Sequence, residues 1–124
     1  MGLALAGGFL AEPFLVVRVI SVKGMVEKVV RVVKAEEVDR VVVGISEGEM
    51  GKEQADFAKC LRDKLGEVPV EVWDETLTTY DASRLAREAG VRRHKVRERE
   101  DAFAAAIMLQ SFLDSYDGEE NEGT

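Results

Sequence analysis

The stretch Val38-Asp39-Arg40-Val41-Val42-Val43-Gly44-Ile45 (VDRVVVGI) decides the fold of this chain of 124 residues. From Val41 to Ile45 it is almost continuously apolar, and such runs are typical of strands that are buried on both faces of a parallel sheet. Parallel strands belong to folds in which strands and helices alternate. We therefore expect helices on both sides of this strand.

The segments before and after this strand both have apolar residues at the spacing of a helix. Before the strand, the apolar residues from Val22 to Lys34 recur at steps of three and four, which predicts a helix despite the many valines. After it, Met50 to Leu65 repeats the same spacing, and Gly66 is a natural stop. Two further helices are predicted from Thr78 to Gly90 and from about Glu98 to about Asp114.

Three more strands complete the predicted order. Gly2–Ala6 and Phe14–Ile20 precede the first helix, and Val70–Trp73, which alternates as a more exposed strand does, follows the second. The order is then strand, strand, helix, strand, helix, strand, helix, helix. This order predicts an α/β fold with a mainly parallel sheet, in which the first two strands add an antiparallel edge.

Size and composition fit one globular domain. The chain is 46% hydrophobic and 33% charged, which excludes a disordered protein. We expect the domain to cover residues 1–116 and the acidic residues 117–124 to form a disordered tail. A single cysteine, Cys60, cannot form an internal disulfide and is expected to be a small buried side chain. No apolar run approaches the roughly 20 residues of a membrane span, so we expect a cytoplasmic protein.

The distribution of charge is more informative than its sum. The net charge is −7, which by itself argues against a nucleic-acid-binding protein. The segment Arg92-Arg93-His94-Lys95-Val96-Arg97-Glu98-Arg99 is nevertheless strongly basic. It is either a solvated loop or a patch that holds phosphates. His94 is more simply a loop residue than a catalytic base.

Two groups of acidic residues are candidates for metal binding. Asp74 and Glu75 come directly after a predicted strand, where ligands bind in open α/β sheets, although a turn residue and a solvated residue would look the same. Asp101 begins the predicted last helix, in line with Ala105 and Met108, so we expect its carboxylate near the packed face, where it would need a partner or a metal ion. The alternative is an acid that favours the helix dipole. The alanines that follow predict a close approach of this helix to a sheet or another helix.

Together these segments resemble a known family. Val41-Val42-Val43-Gly44, Trp73-Asp74-Glu75-Thr76-Leu77-Thr78-Thr79 and the helix from Asp101 to Leu113 (DAFAAAIMLQSFL) are similar to the YqgF/RuvX family. Its members are described as Holliday junction resolvases and as nucleases that mature the precursor of the small-subunit ribosomal RNA. The similarity covers the chain up to about Tyr116.

The resemblance implies an RNase H-like fold and hydrolysis of phosphodiester bonds with Mg²⁺ or Mn²⁺. It implies that Glu75 and Asp101 are metal ligands and catalytic, with Asp74 as a neighbour of less defined role. The implied partner is structured RNA or branched DNA. The implied contacts to it come from two segments, namely Thr78 and Thr79, and the basic residues Arg92, Arg93, Lys95, Arg97 and Arg99.

Two departures from the family pattern stand out. Thr76 stands where the family usually has Arg, which changes phosphate contacts. Gly2–Ala6 matches the family's second strand, so the first central strand and its catalytic Asp are missing, and Gly7 stands where a second acid is common. We expect a start upstream of Met1, a partner chain that supplies the strand, or a non-catalytic relative, and we favour the first. The chain as given should then have little or no nuclease activity.

The sequence thus leaves two functional classes open, an enzyme and a binding module. The first is a metal-dependent nuclease, and the second is a non-catalytic nucleic-acid-binding module of the same fold. A receiver-like phosphoacceptor domain is weaker, because it would need an acid at the end of the strand Val41–Val43, where Gly44 and Ile45 stand.

Overall fold

Four strands and three helices make up residues 1–18, 21–75 and 100–122, which the computed structural model describes; of residues 116–122 it describes the backbone. The elements are β1 (Gly2–Ala6), β2 (Ala11–Val16), α1 (Val22–Ala35), β3 (Val41–Ile45), α2 (Glu49–Leu65), β4 (Val70–Asp74) and α3 (Glu100–Glu122). They form two compact units, one with β1, β2 and α3 and the other with α1, β3, α2 and β4.

The first unit is an antiparallel hairpin covered by α3. Gly2 lies opposite Val16 and Ala6 opposite Ala11, with a shift of register between Leu3 and Ala4. Small side chains let the helix come close to the sheet, since Ala102 and Ala106 are buried and a Cβ on Gly2 would overlap the Asp101 carbonyl. The close approach predicted from the alanines is confirmed, with a sheet as the neighbour.

One side chain of α3 fixes the turn of the hairpin. The Gln110 Oε1 accepts a hydrogen bond from the Ala11 amide at 2.9 Å, and its Nε2 donates to the Phe9 carbonyl at 2.8 Å and to Asp114 Oδ1 at 3.0 Å. The side-chain amide of Gln110 therefore bonds to two backbone groups at the turn, one donor and one acceptor. This contact holds the turn against the helix.

The second unit packs two helices with the parallel pair β3–β4. Helix α1 begins after Ser21, whose Oγ accepts from the Gly24 amide at 3.1 Å and caps the helix. Its buried residues Val26, Val29 and Val33 confirm the face predicted from their spacing. Helix α2 ends at Leu65 before Gly66, as predicted, and Leu61 is fully buried. Arg62 Nε donates to the Val70 carbonyl at 3.0 Å and links α2 to the start of β4.

The α/β class is confirmed, but the arrangement of the strands differs from the expectation. Among the described residues there are two separate two-stranded sheets, one antiparallel and one parallel, instead of a single mixed sheet. Val43 is the buried residue of β3, and its neighbours are half-buried. A two-stranded sheet with helices on it covers a strand less completely than a wider sheet, which explains the partial burial of this apolar run.

Several boundaries and one side chain also need correction. Strand β2 begins at Ala11 and ends at Val16, earlier than the predicted Phe14–Ile20. Helix α3 ends at Glu122, later than the predicted end at about Asp114. Cys60 is exposed, because the buried face of α2 is formed by Phe57, Ala58 and Leu61 and Cys60 projects away from it. The helix predicted from Thr78 to Gly90 lies outside the described residues.

None of the helices in the described ranges is long and apolar enough to cross a membrane.

Candidate functional site

The parallel pairing of β3 and β4 brings two chain segments together at one edge of the second unit. Val41 lies opposite Val70 and Ile45 opposite Asp74, so the two strands end at the same level. Asp74 is the last residue of β4 and Glu75 follows it, and both are exposed. The acids therefore stand where the sequence predicted them, at the carboxyl end of a parallel strand.

Ser46 contacts the second of these acids directly. Its Oγ donates a hydrogen bond to Glu75 Oε2 at 2.6 Å, a length expected when the acceptor is a carboxylate. Ser46 is not among the site residues predicted from the sequence. The order of the strands does contain a signal for this contact. Ser46 follows the last residue of β3 and Glu75 follows the last residue of β4, and these two strands are paired in register.

The first two turns of α2 hold Ser46 in place. Gln54 Oε1 accepts a hydrogen bond from the Ser46 amide at 2.6 Å. Gly51 is buried, and a Cβ at this position would overlap the Ser46 carbonyl. Gly48 has φ +81° and ψ −154° at the start of the helix, a backbone conformation that is essentially restricted to glycine. The glycines of this loop thus serve a tight strand-to-helix connection.

Four exposed side chains among the described residues at this edge are acidic. Glu47 and Glu49 are exposed on the loop and first turn that lead from Ser46 into α2, and Asp74 and Glu75 follow the neighbouring strand. No lysine or arginine lies between Ile45 and Glu49. Exposed carboxylates repel a bare phosphate, which needs a cation between itself and the acids.

Asp101 belongs to the first unit, and its surroundings differ from the expectation. It lies in the first turn of α3 and is exposed, so the predicted position of its carboxylate near the packed face is wrong. The buried face of the helix is formed by the neighbours Ala102 and Phe103 with Ala106 and Ile107, which turns Asp101 toward solvent. An exposed acid in the first turn also interacts favourably with the helix dipole.

The remaining predicted site residues lie outside the described residues: Thr78, Thr79, Arg92, Arg93, Lys95, Arg97 and Arg99. The structure thus brings Asp74 and Glu75 together with Ser46 in one unit and places Asp101 on the other. Within residues 1–18, 21–75 and 100–122, no three His, Cys, Asp or Glu side chains are grouped closely enough to hold a metal ion.

The donor chemistry at the site fits a hard divalent cation. Mg²⁺ and Mn²⁺ prefer carboxylate, carbonyl and water oxygens. The Glu75 carboxylate is exposed and uses Oε2 to accept from Ser46, which leaves Oε1 for another partner. Glu75 fits such an ion by type and by access, as one of the ligands that it needs. Asp101, in the other unit, is likewise an exposed carboxylate.

Comparison with known proteins points to one family. A family model described as "RuvX: Holliday junction resolvase" matches residues 1–115. A protein of Pelotomaculum thermopropionicum named "Putative pre-16S rRNA nuclease" is 40% identical over 107 residues, which cover 78% of this chain and 69% of that protein. Proteins of the same name are 32% identical in Clostridium novyi, over 87% of this chain and 84% of that protein, and 38% identical in Anaeromyxobacter sp. strain Fw109-5, over 92% and 88%. The resemblance found in the sequence is confirmed, and this chain belongs to the RuvX family.

Proposed function

We propose that this protein is a nuclease that uses Mg²⁺ or Mn²⁺ to hydrolyse phosphodiester bonds in structured RNA or branched DNA. The observation that carries the proposal is the Glu75 carboxylate, fixed by Ser46 at the carboxyl end of the parallel strand β4. Membership of a family whose model is described as a Holliday junction resolvase supports it, as do relatives named for pre-16S rRNA.

Glu75 and Asp101 are each proposed as metal ligands and catalytic residues, with Asp74 as a neighbour of Glu75 at the end of β4. A divalent ion supplies charge neutralisation at the phosphate and a water molecule that ionises near neutral pH. The exposure of both carboxylates leaves them accessible to an ion and to a substrate. Because hydrolysis with two metal ions requires more oxygen ligands than these three acids provide, we expect little cleavage, at most slow.

The basic segment would hold the substrate. Arg92, Arg93, Lys95, Arg97 and Arg99 are proposed to contact backbone phosphates, with Thr78 and Thr79 as hydroxyl donors. Such contacts position a nucleic acid without reading its sequence. They would also offset the acidic edge formed by Glu47, Glu49, Asp74 and Glu75, because the phosphates need cationic partners there.

The fold that we propose for the whole site is an RNase H-like sheet, wider than either pair of strands in the described residues. The support is that the described strands form two pairs, and a two-stranded sheet is marginal by itself. A strand beside β1 or β3 would extend either pair, and a second copy of the chain could provide it. Sedimentation of the purified chain tests the oligomer, because a monomer at all concentrations would exclude a strand supplied by a second copy.

A non-catalytic nucleic-acid-binding module is the second candidate. The observation that favours it is the absence, within the ranges 1–18, 21–75 and 100–122, of three grouped metal-binding side chains. Such a module would bind the same substrates through the basic segment without a requirement for a divalent ion. The two candidates therefore differ in their dependence on metal.

Cleavage assays separate the two candidates. The substrates are a four-way DNA junction and a fragment of ribosomal RNA precursor, with a linear DNA duplex as control, each with Mg²⁺, Mn²⁺ or EDTA. The proposal predicts cleavage that requires the metal and is lost in Glu75→Gln and Asp101→Asn. It should be kept in Asp63→Asn, which removes an exposed acid of α2. Binding without cleavage, equal in EDTA and in Mg²⁺, would favour the module.

A further inference from the structure

The hydrogen bond between Ser46 and Glu75 joins a fixed donor to an exposed acceptor. Glu75 is exposed, and an exposed glutamate ordinarily samples several rotamers because its side chain is long and unbranched. The distance of 2.6 Å between Ser46 Oγ and Glu75 Oε2 is in the range of the strongest hydroxyl–carboxylate bonds. One such bond selects the rotamers in which Oε2 faces the end of β3.

The donor itself cannot move freely, because α2 holds it from two directions. Gln54 Oε1 accepts from the Ser46 amide at 2.6 Å, and the backbone of Gly51 lies against the Ser46 carbonyl, in space that a side chain would occupy. The Gly51 amide also donates to the Gly48 carbonyl at 3.2 Å, which closes the loop between them. These contacts restrain the backbone of Ser46, and with it the position of its hydroxyl, in the connection between β3 and α2.

We infer that Ser46 is a positioning residue that presents the Glu75 carboxylate to a divalent metal ion through Oε1. This inference rests on the metal-binding role proposed above for Glu75. The hydroxyl takes one lone pair of Oε2, so Oε1 is the oxygen that the contact leaves fully available, in one orientation of the carboxylate. Gln54 acts one step further out, since it holds Ser46 and does not contact the carboxylate.

The expected size of the effect follows from other metal sites. Groups that orient a metal ligand without touching the ion typically contribute about 10–100-fold to metal affinity. A residue that only stabilises the loop would instead lower stability and leave affinity nearly unchanged. Metal affinity and stability must therefore be measured on the same variants.

The first measurement is the affinity of the full chain for Mn²⁺, by electron paramagnetic resonance or calorimetry, without substrate. Ser46→Ala should weaken binding by about 10–100-fold, and Ser46→Thr, which keeps the hydroxyl, should restore it. Ser21→Ala is the matched control, because it removes a serine that caps α1 in the same unit and destabilises the unit without touching Glu75. Its affinity should equal that of the wild type.

The second measurement follows the Glu75 side chain in the metal-free chain by NMR, with selectively labelled glutamate and side-chain scalar couplings. The wild type and Ser46→Thr should show one rotamer, and Ser46→Ala should show averaging over several. If the wild type fails to bind Mn²⁺ but shows this pattern, the proposed function fails and the orienting contact stands. Three results would each overturn the inference. The Glu75 side chain could average over several rotamers already in the wild type, it could keep the same rotamer in Ser46→Ala, or the Mn²⁺ affinity could be unchanged in Ser46→Ala.

Discussion

Ile45 lies opposite Asp74 in the parallel pair β3–β4, and the residues that follow them, Ser46 and Glu75, are joined by a hydrogen bond of 2.6 Å. The candidate site is thus an extension of the strand register by one residue. A substitution that shifts the end of β3 relative to β4 should therefore change the orientation of the Glu75 carboxylate, even when the substituted residue does not contact it.

Gly51→Ala should destabilise the second unit. The added methyl group would overlap the Ser46 carbonyl, and inserting a methyl group into a packed site costs about 1–3 kcal/mol. Urea unfolding measures this loss. Lys52→Ala, at the next and exposed position of α2, is the control and should change the free energy of unfolding by less than about 0.5 kcal/mol.

Gly48→Ala should be destabilising for a conformational reason. Gly48 has φ +81° and ψ −154°. An alanine there would cost about 1–3 kcal/mol, because its Cβ would clash with backbone atoms of its own residue and the adjoining ones. Nothing lies within 4 Å of a Cβ built on Gly48, so the cost should come from the backbone conformation alone. Gly7→Ala is the comparison, because Gly7 has open space and no such φ. An equal effect of the two substitutions would contradict the explanation.

Gln110→Ala should loosen the hairpin turn of the first unit. It removes the donor to the exposed Phe9 carbonyl and the acceptor of the Ala11 amide, which is the partly buried contact of the two. A partly buried amide left without a partner costs about 1 kcal/mol or more. Hydrogen exchange of the Ala11 amide should become faster. Ser111→Ala, whose hydroxyl bonds to Ile107 within the same helix, should leave that amide protected.

The basic segment should set the salt dependence of nucleic-acid binding. If Arg93 and Lys95 each contact one phosphate, Arg93→Gln and Lys95→Gln should each lower the slope of log affinity against log salt by about 1. Filter binding or fluorescence anisotropy with a four-way DNA junction measures this slope. Lys59→Gln, at an exposed position of α2, is the matched control, and a slope that changes equally in all three variants would exclude a localised phosphate contact.

The sequence predicted the elements of regular period well. The steps of three and four in α1 and α2 and the apolar run of β3 depend on local spacing, which secondary structure follows directly. The position of Asp74 and Glu75 at a strand end was also predictable, since it needs only the order of the elements.

The parts that depend on pairing between distant segments were not predictable. Ser46 and Glu75 are 29 residues apart, and their contact depends on the register of β3 against β4. The exposure of Asp101 and of Cys60 follows from which face each helix turns to its neighbours, and a shift of one residue turns that face by about 100°. The arrangement of the strands as two pairs likewise depends on edges that no local pattern reveals.

The central claim is that Glu75 and Asp101 bind a divalent metal ion, and Mn²⁺ titration by calorimetry tests it most directly. Loss of a group that orients a metal ligand lowers metal affinity by roughly 10–100-fold. The claim predicts that Glu75→Gln and Asp101→Asn, which remove the proposed ligands themselves, each lower the affinity for Mn²⁺ by at least that factor. Asp63→Asn, an exposed acid of α2, should bind as the wild type does. Equal Mn²⁺ affinity in the wild type, Glu75→Gln and Asp101→Asn would contradict the claim.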